Sequence, residues 1–294
     1  MKNNYLIKED LKLIIEDSKL SINNLAFEIG VSPRELNYIL SDDLNVKFET
    51  LDKIYSYAYK KGLRLNKIKE QIFKETTNKL ILFHGSKSGL NEIYFNGSRN
   101  NCDFGSAFYL GESYSQAINF VYEFKESSVY AFKLDLSELN VYEFETNLEW
   151  MLAICYYKGM LEEYKESKVI KNLLKKLNNA DVIIAPIADN RMFNVIWEFG
   201  EGLITDLQAI HSLSSSNLGK QYVLKTKKAI DKLELIEHLF VCTKEKEVVS
   251  SLLIERNNEI ETKLKFSKKE FRGKGIYIED LFDEKIWWNR FKIC

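Results

Sequence analysis

Proline is nearly missing from this chain. Only Pro33 and Pro186 occur in 294 residues, so no proline-rich spacer needs to be considered. Histidine is scarce too. The three present lack the spacing of a ligand set, which argues against a catalytic metal. Cys102, Cys155, Cys242 and Cys294 lie far apart and form no CxxC pair, so they read as reduced thiols. No apolar run reaches the ~18 residues of a membrane span, and the N-terminus carries no charged-then-apolar export signal. The chain is therefore expected to be soluble and cytoplasmic, with no membrane partner. An excess of one charge is also lacking. Lys plus Arg (42) nearly cancels Asp plus Glu (43), so no global field points to nucleic acid.

What is present is globular: 45% hydrophobic and 29% charged, long enough for one large domain or two smaller ones. Residues 5 to 75 read as helices. Leu11, Ile14 and Ile15, then Leu25, Ala26 and Ile29, follow helical spacing. Ser21 predicts an N-cap, Gly30-Val31-Ser32 a tight turn, and Ser32-Pro33-x-Glu35 the opening of the next helix. Lys74 to Lys79 is polar and reads as a linker.

Past it, Leu80 to Phe83 predicts a short buried strand ending in His84-Gly85-Ser86. About twenty residues later come Asp103-Phe104-Gly105, Phe108-Tyr109-Leu110 and a helical pattern from Ser113. A histidine beside a glycine at a strand end can offer one small molecule a side-chain and a backbone hydrogen bond. Tyr109 adds a flat ring, so together these can form a pocket for a polar aromatic group. Further strands are expected over Ser128–Leu136, Val141–Phe144, Asp181–Ile187 and Gln221–Leu224. Helices are expected over Leu148–Leu177, Phe193–Ile204 and Lys227–Leu235. Trp150 and Trp197 read as packing residues. The tail from Phe240 opens with an amphipathic helix. Its Arg272-Gly273-Lys274-Gly275 is too short for a phosphate loop, and Trp287, Trp288 and Phe291 read as core cover or a partner patch.

His84-Gly85-Ser86 followed by Gly105-x-x-Phe108-Tyr109 resembles the NAD-binding core of ADP-ribosyltransferases of the His-Tyr-Glu branch, which includes diphtheria toxin and the poly(ADP-ribose) polymerases. DFGSAFYL and QAINF are closer to a bacterial toxin-like group reading D-F-G-x-G-F-Y-x-T. In this chain Ala107 replaces the third glycine and Gly111 the threonine. Ala188-Asp189-Asn190 and Lys220-Gln221-Tyr222-Val223 resemble the same group, with Gln221 where the branch has Glu. The resemblance covers roughly Leu80 to Glu237. Separately, LAFEIGVS and the later Thr50-Leu51-x-x-Ile54 resemble the helix-turn-helix domain of Cro/CI-type (XRE) repressors.

These resemblances imply an α+β chain: an all-α helix-turn-helix domain over 1–76, a transferase-like mixed β-sheet domain with helices over 77–239, and an extension of unassigned role over 240–294. They imply NAD as co-substrate, without a metal. His84 would bond a ribose hydroxyl, Gly85 would bind the nicotinamide amide, Tyr109 would stack on its ring, and Phe120 would stand where a second stacking aromatic occurs. Gln221 would orient the ribose 2′-hydroxyl. It cannot ionise, so it cannot serve as a general base, which favours a single transfer per target. Ser86, Arg99 and Arg191 are candidates for the pyrophosphate or adenosine. Asp103 either joins that site or caps its turn.

The implied activity is mono-ADP-ribosyl transfer by an intracellular bacterial toxin of a toxin–antitoxin or antiviral (phage-defence) system. The acceptor is a protein or a nucleic acid, and an antitoxin protein is a possible partner. The alternative is a DNA-binding regulator with a degenerate NAD-sensing domain. Arg34 and Asn37 would read bases, whereas Glu35 would face phosphates unfavourably. Thirteen basic against twelve acidic residues up to Thr77 is a weak footprint for DNA.

Overall fold

The computed structural model describes residues 5–41, 46–215 and 217–282. It is a mixed α+β chain that divides into two compact units. One comprises residues 1–92, 110–135 and 233–254, the other residues 93–109, 136–232 and 255–294. Trp287, Trp288 and Phe291 lie outside the described residues. Among the described residues, no helix is long and apolar enough to cross a membrane.

The first unit starts with five helices: α1 (Ile7–Ser18), α2 (Ile22–Ile29), α3 (Pro33–Leu40), α4 (Phe48–Lys60) and α5 (Leu65–Glu75). Their starts follow local chemistry. Ser21 accepts the amide of Asn24 at the head of α2. Ser32, Pro33 and Glu35 make a full capping box on α3. Gly30 takes φ 77° to end α2, a conformation that costs glycine little. Leu11, Ile14, Leu25, Leu36 and Ile54 fill the core between the helices.

The strands of this unit are β1 (Leu80–Ser86), β2 (Phe108–Gly111), β3 (Ser128–Leu134) and β7 (Leu233–Phe240), with helix α6 (Tyr114–Asn119). Only the last two residues of β2 belong to this unit. β1 pairs antiparallel with β2 at Phe83↔Gly111 and with β3 from Leu80↔Leu134 to Ser86↔Ser128. β3 pairs antiparallel with β7, with a register shift between Ala131 and Phe132. Directly opposed residues share a face. Phe83, Val129, Ala131 and Leu239 therefore meet α6 through Ala117, Ile118 and Val121. The opposite face carries the cross-strand row His84, Tyr130 and His238. At the far end of β7, Phe240 packs on Tyr5, Phe48 and Tyr55 of the helical segment. That segment is fixed to β7 by ions as well. Lys69 bonds Asp10 (2.7 Å) and Glu237, and Tyr55 donates to Asp10.

The second unit holds β4 (Val141–Glu143), β5 (Val182–Pro186) and β6 (Lys220–Leu224). β4 runs parallel to β5, and β6 antiparallel to it with Ala185↔Gln221 in register. Around them lie α7 (Leu148–Tyr157), α8 (Lys168–Asn178), α9 (Asn190–Gly200), α10 (Asp206–Ser214) and α11 (Lys227–Asp231). Trp150, Met151, Ile154, Ile170, Ile183, Phe199 and Val223 form the core.

The single helix expected over 148–177 is thus two helices. α7 ends at Tyr157, Gly159 takes φ 78° just after its cap, and Ser167 starts α8 afresh. The helix expected from Lys227 stops at Asp231, because the residues after it are taken into β7 by pairing with β3. Trp197, expected in the core, is 43% exposed, since α9 turns Val195, Ile196 and Phe199 inward instead. The tail helix α12 (Thr243–Glu270) and α13 (Ile278–Leu281) contribute Ile260, Leu264, Ile278 and Leu281 to this core. Between them, Asp206 accepts the amide of Ile276, and Thr205 bonds Lys274. The glycine-bearing tail loop is therefore a packing element, with no room for a side chain at Gly275.

Candidate active site

His84, Gly85, Ser86 and Phe120 belong to the first unit; Arg99, Asp103, Tyr109, Arg191 and Gln221 belong to the second.

In the first unit, β1 carries His84 half-buried in the row with Tyr130 and His238. Tyr130 and His238 stack at 4.2 Å and 6°, and Tyr5 covers the other side of His238 at 4.1 Å. Burial lowers the His238 imidazole to about 4, so it is neutral near pH 7. Gly85 faces the opposite way. A Cβ there would stand 2.4 Å from the Ala117 carbonyl and 3.0 Å from Val121. The glycine is thus required by the close seat of α6, whatever its backbone binds. The same carbonyl accepts the amide of Phe120 (3.3 Å), the residue that ends α6 and whose side chain is 64% exposed. Ser86 spends its hydroxyl proton on Gly89 O at 2.5 Å, closing the turn after β1.

In the second unit, the Asp103-Phe104-Gly105 loop is tied down from several directions. Phe104 is fully buried and stacks on Phe144 at 5.6 Å. Tyr109 donates to Gly105 O (2.7 Å) and accepts from the amide of Phe104 (3.1 Å); burial raises its phenol. Its ring packs on the core, so in this structure the hydroxyl braces the loop. Gly105 takes φ 74° against the Tyr157 ring, a position that suits glycine. Lys225 donates to Phe104 O at 2.7 Å and lies over Tyr157 at 5.0 Å, and burial lowers its ammonium. Lys158 donates to Asn101 O (2.7 Å) and stands 3.3 Å from Asp103.

Gln221, 8% exposed, is the second residue of β6 and reaches the same loop. Its Nε2 donates to Asp103 Oδ2 at 3.2 Å and to Pro186 O at 3.1 Å. Asp103, Tyr109 and Gln221 are thereby brought into one network. Arg191 is not part of it. Its guanidinium bonds Asp189 and Asn257, both at 2.5 Å. Asp189 in turn caps α9 by accepting the amides of Arg191 and Met192. The Asp of Ala188-Asp189-Asn190 is therefore a helix cap. Arg99 is exposed.

Sequence reasoning missed Lys158, Lys225 and Asn257. Only Lys225 left a signal: it continues the alternation of Gln221 and Val223 one residue past the end of β6, and Gln221 and Lys225 reach residues 103 and 104. Among the described residues, no cluster of His, Cys, Asp and Glu suits a metal ion.

These strands and helices define a mixed α+β protein in which Asp103, Tyr109 and Gln221 are tied to one loop of the second unit, while His84 lies near the end of a strand of the first. The chain belongs to the DUF3990 family, described as a protein of unknown function, whose model matches residues 80–235. No curated protein and no solved structure matches it.

Proposed function

We propose that this chain is an NAD-dependent mono-ADP-ribosyltransferase acting inside bacterial cells as the toxin of a toxin–antitoxin or phage-defence system. The observation that carries this reading is one of order and position. His84 near the end of β1, Tyr109 in β2 and Gln221 at the start of β6 all fall inside the matched segment 80–235, in the order the transferase resemblance requires. In the reaction, the bond from ribose C1′ to the nicotinamide nitrogen breaks, and its electron pair leaves with neutral nicotinamide. A nucleophile of the protein or nucleic-acid acceptor bonds C1′ and gives up its proton. The transition state is oxocarbenium-like, so catalysis lies in holding and orienting the dinucleotide. His84 and Gln221 would hold ribose hydroxyls, Gly85 the nicotinamide amide, and Tyr109 and Phe120 its ring. Ser86 and Arg191 are less favoured for the pyrophosphate, because each is already bonded within the protein.

Purified protein with cell extract should release nicotinamide from NAD. His84→Ala and Tyr109→Ala should each lower the rate by roughly ten- to a hundredfold, with folding checked by thermal melting. Labelled NAD followed into protein, RNA and DNA fractions identifies the acceptor.

A second reading is a DNA-binding regulator that senses NAD without turnover. One observation favours it. Glu35 does not point at a phosphate partner: its carboxylate accepts from Ser32 (2.8 Å) and Thr50 (3.2 Å), while Arg34, Asn37 and Tyr38 stay exposed on α3. Tight NAD binding with no nicotinamide release selects this reading. Absence of any NAD binding by calorimetry rejects both.

A further inference from the structure

We infer that Asp103 is a positioning residue that decides which atom Gln221 presents to a ligand. A carboxamide has one acceptor oxygen and one nitrogen with two protons, nearly equal in shape, so its orientation is set by its neighbours. At Gln221 both neighbours on one side are acceptors: the Asp103 carboxylate at 3.2 Å and the Pro186 carbonyl at 3.1 Å. The nitrogen must face them, and both of its protons are spent. Oε1 is turned away. It accepts no hydrogen bond among the described residues, although Gln221 is more than nine-tenths buried, and it is not among the sealed, unpartnered atoms. Lys158, 3.3 Å from the other Asp103 oxygen, balances the carboxylate and holds the loop through Asn101 O.

Two consequences follow from the chemistry of the groups. A ligand that meets Gln221 must donate a proton to it, as a hydroxyl or N–H does; a phosphate or carboxylate oxygen finds no donor there. The pair also forbids a carboxylate at 221 while Asp103 is ionised, because two like charges would stand in hydrogen-bond contact. That the donor is a ribose hydroxyl rests on the proposed transferase reading, whereas the orientation itself does not.

The test separates the two. Without NAD, the Gln221 side-chain amide protons, assigned in ¹H–¹⁵N spectra by their loss in Gln221→Glu, should exchange with solvent at least tenfold more slowly than those of an exposed glutamine. Asp103→Ala should speed that exchange at least tenfold, and Asp103→Asn, which keeps an acceptor oxygen, by less. Gln221→Glu alone should unfold more easily at pH 8 than at pH 5. Adding Asp103→Asn restores a donor–acceptor pair of reversed polarity and should recover at least tenfold in the unfolding equilibrium constant at pH 8. Fast exchange in the wild type, or additive effects in the double variant, overturns the proposal. With NAD, Asp103→Ala should lower kcat at least tenfold and change KM less than threefold. If slow exchange and coupling are found but no variant, nor the wild type, turns over NAD, the positioning role stands and the transferase reading fails.

Discussion

The two units bury carboxylates in different company. In the second, Asp181 accepts the amide of Asn140 and the hydroxyl of Thr226, and Asp206 accepts the amides of Leu207 and Ile276. At Asp181 the Asn140 amide is a fixed donor that holds the carboxyl below its ordinary range. In the first, Asp10 and Glu237 converge on Lys69. Glu245 shares the amide nitrogen of Asn66 with Tyr114 and Phe240 O. Burial there outweighs the available donors. It raises Glu237 and pushes Glu245 up to about 7. A carboxylate held by backbone amides gains stability by ionising; one held by too few donors gains it by staying protonated. Asp181 in one unit and Glu245 in the other should therefore respond to pH with opposite sign.

The largest effect is expected from Asp10→Ala, which leaves the Tyr55 hydroxyl without its buried acceptor and Lys69 with Glu237 alone. A loss of about 3–5 kcal/mol in urea unfolding would mark the network as essential. A loss near that of a surface pair would remove the contrast between the units.

Glu245→Gln isolates the pH term. Its folded value lies above the unfolded one, so its contribution is complete below about pH 4.5 and is lost as pH rises through about 7. Between pH 5 and 8 the wild type should lose on the order of 3 kcal/mol that the variant keeps. Parallel pH curves for the two proteins would refute this.

Asp181→Ala should cost least, about 1–2 kcal/mol at pH 7. Its folded value is depressed, so its contribution is present above the unfolded value and fades as pH falls through the folded one. The cost should therefore shrink toward pH 3, opposite in direction to Glu245. A cost that grows on acidification would break the comparison.

Much of the first unit was legible because its signals are local. Caps at Ser21 and Ser32, and the apolar run of β1, need only neighbours in sequence. Strands β3, β5 and β6 were legible for the same reason, although β3 is buried on both faces where alternation had suggested one. The candidate residues themselves were legible, but their partners were not. Gly85 read as a backbone contact for a ligand and Gly105 as part of a motif, yet each meets a protein neighbour, Ala117 O and the Tyr157 ring. Lys158 and Asp103 are far apart in sequence, and no periodicity links them. The tail read as an amphipathic helix, but nothing in its sequence told which core Ile260 and Leu264 enter, since the part of α12 up to Ile254 belongs to one unit and the part from Glu255 to the other.

The brace on α6 bears on how this protein can be cut. Glu70 of α5 accepts the amide of Tyr114 at the helix's first turn, Lys74 bonds Glu112 O, and Asn66 holds the Tyr114 hydroxyl. The family segment 80–235 retains none of these three residues. It also stops inside β7, before His238 and Leu239 meet Tyr130 and Val129. The region shared across the family is therefore not portable by itself. A fragment trimmed to it would bare an unpaired strand edge and an unsupported helix beneath Gly85, and inactivity of such a fragment would report lost scaffolding, not missing chemistry.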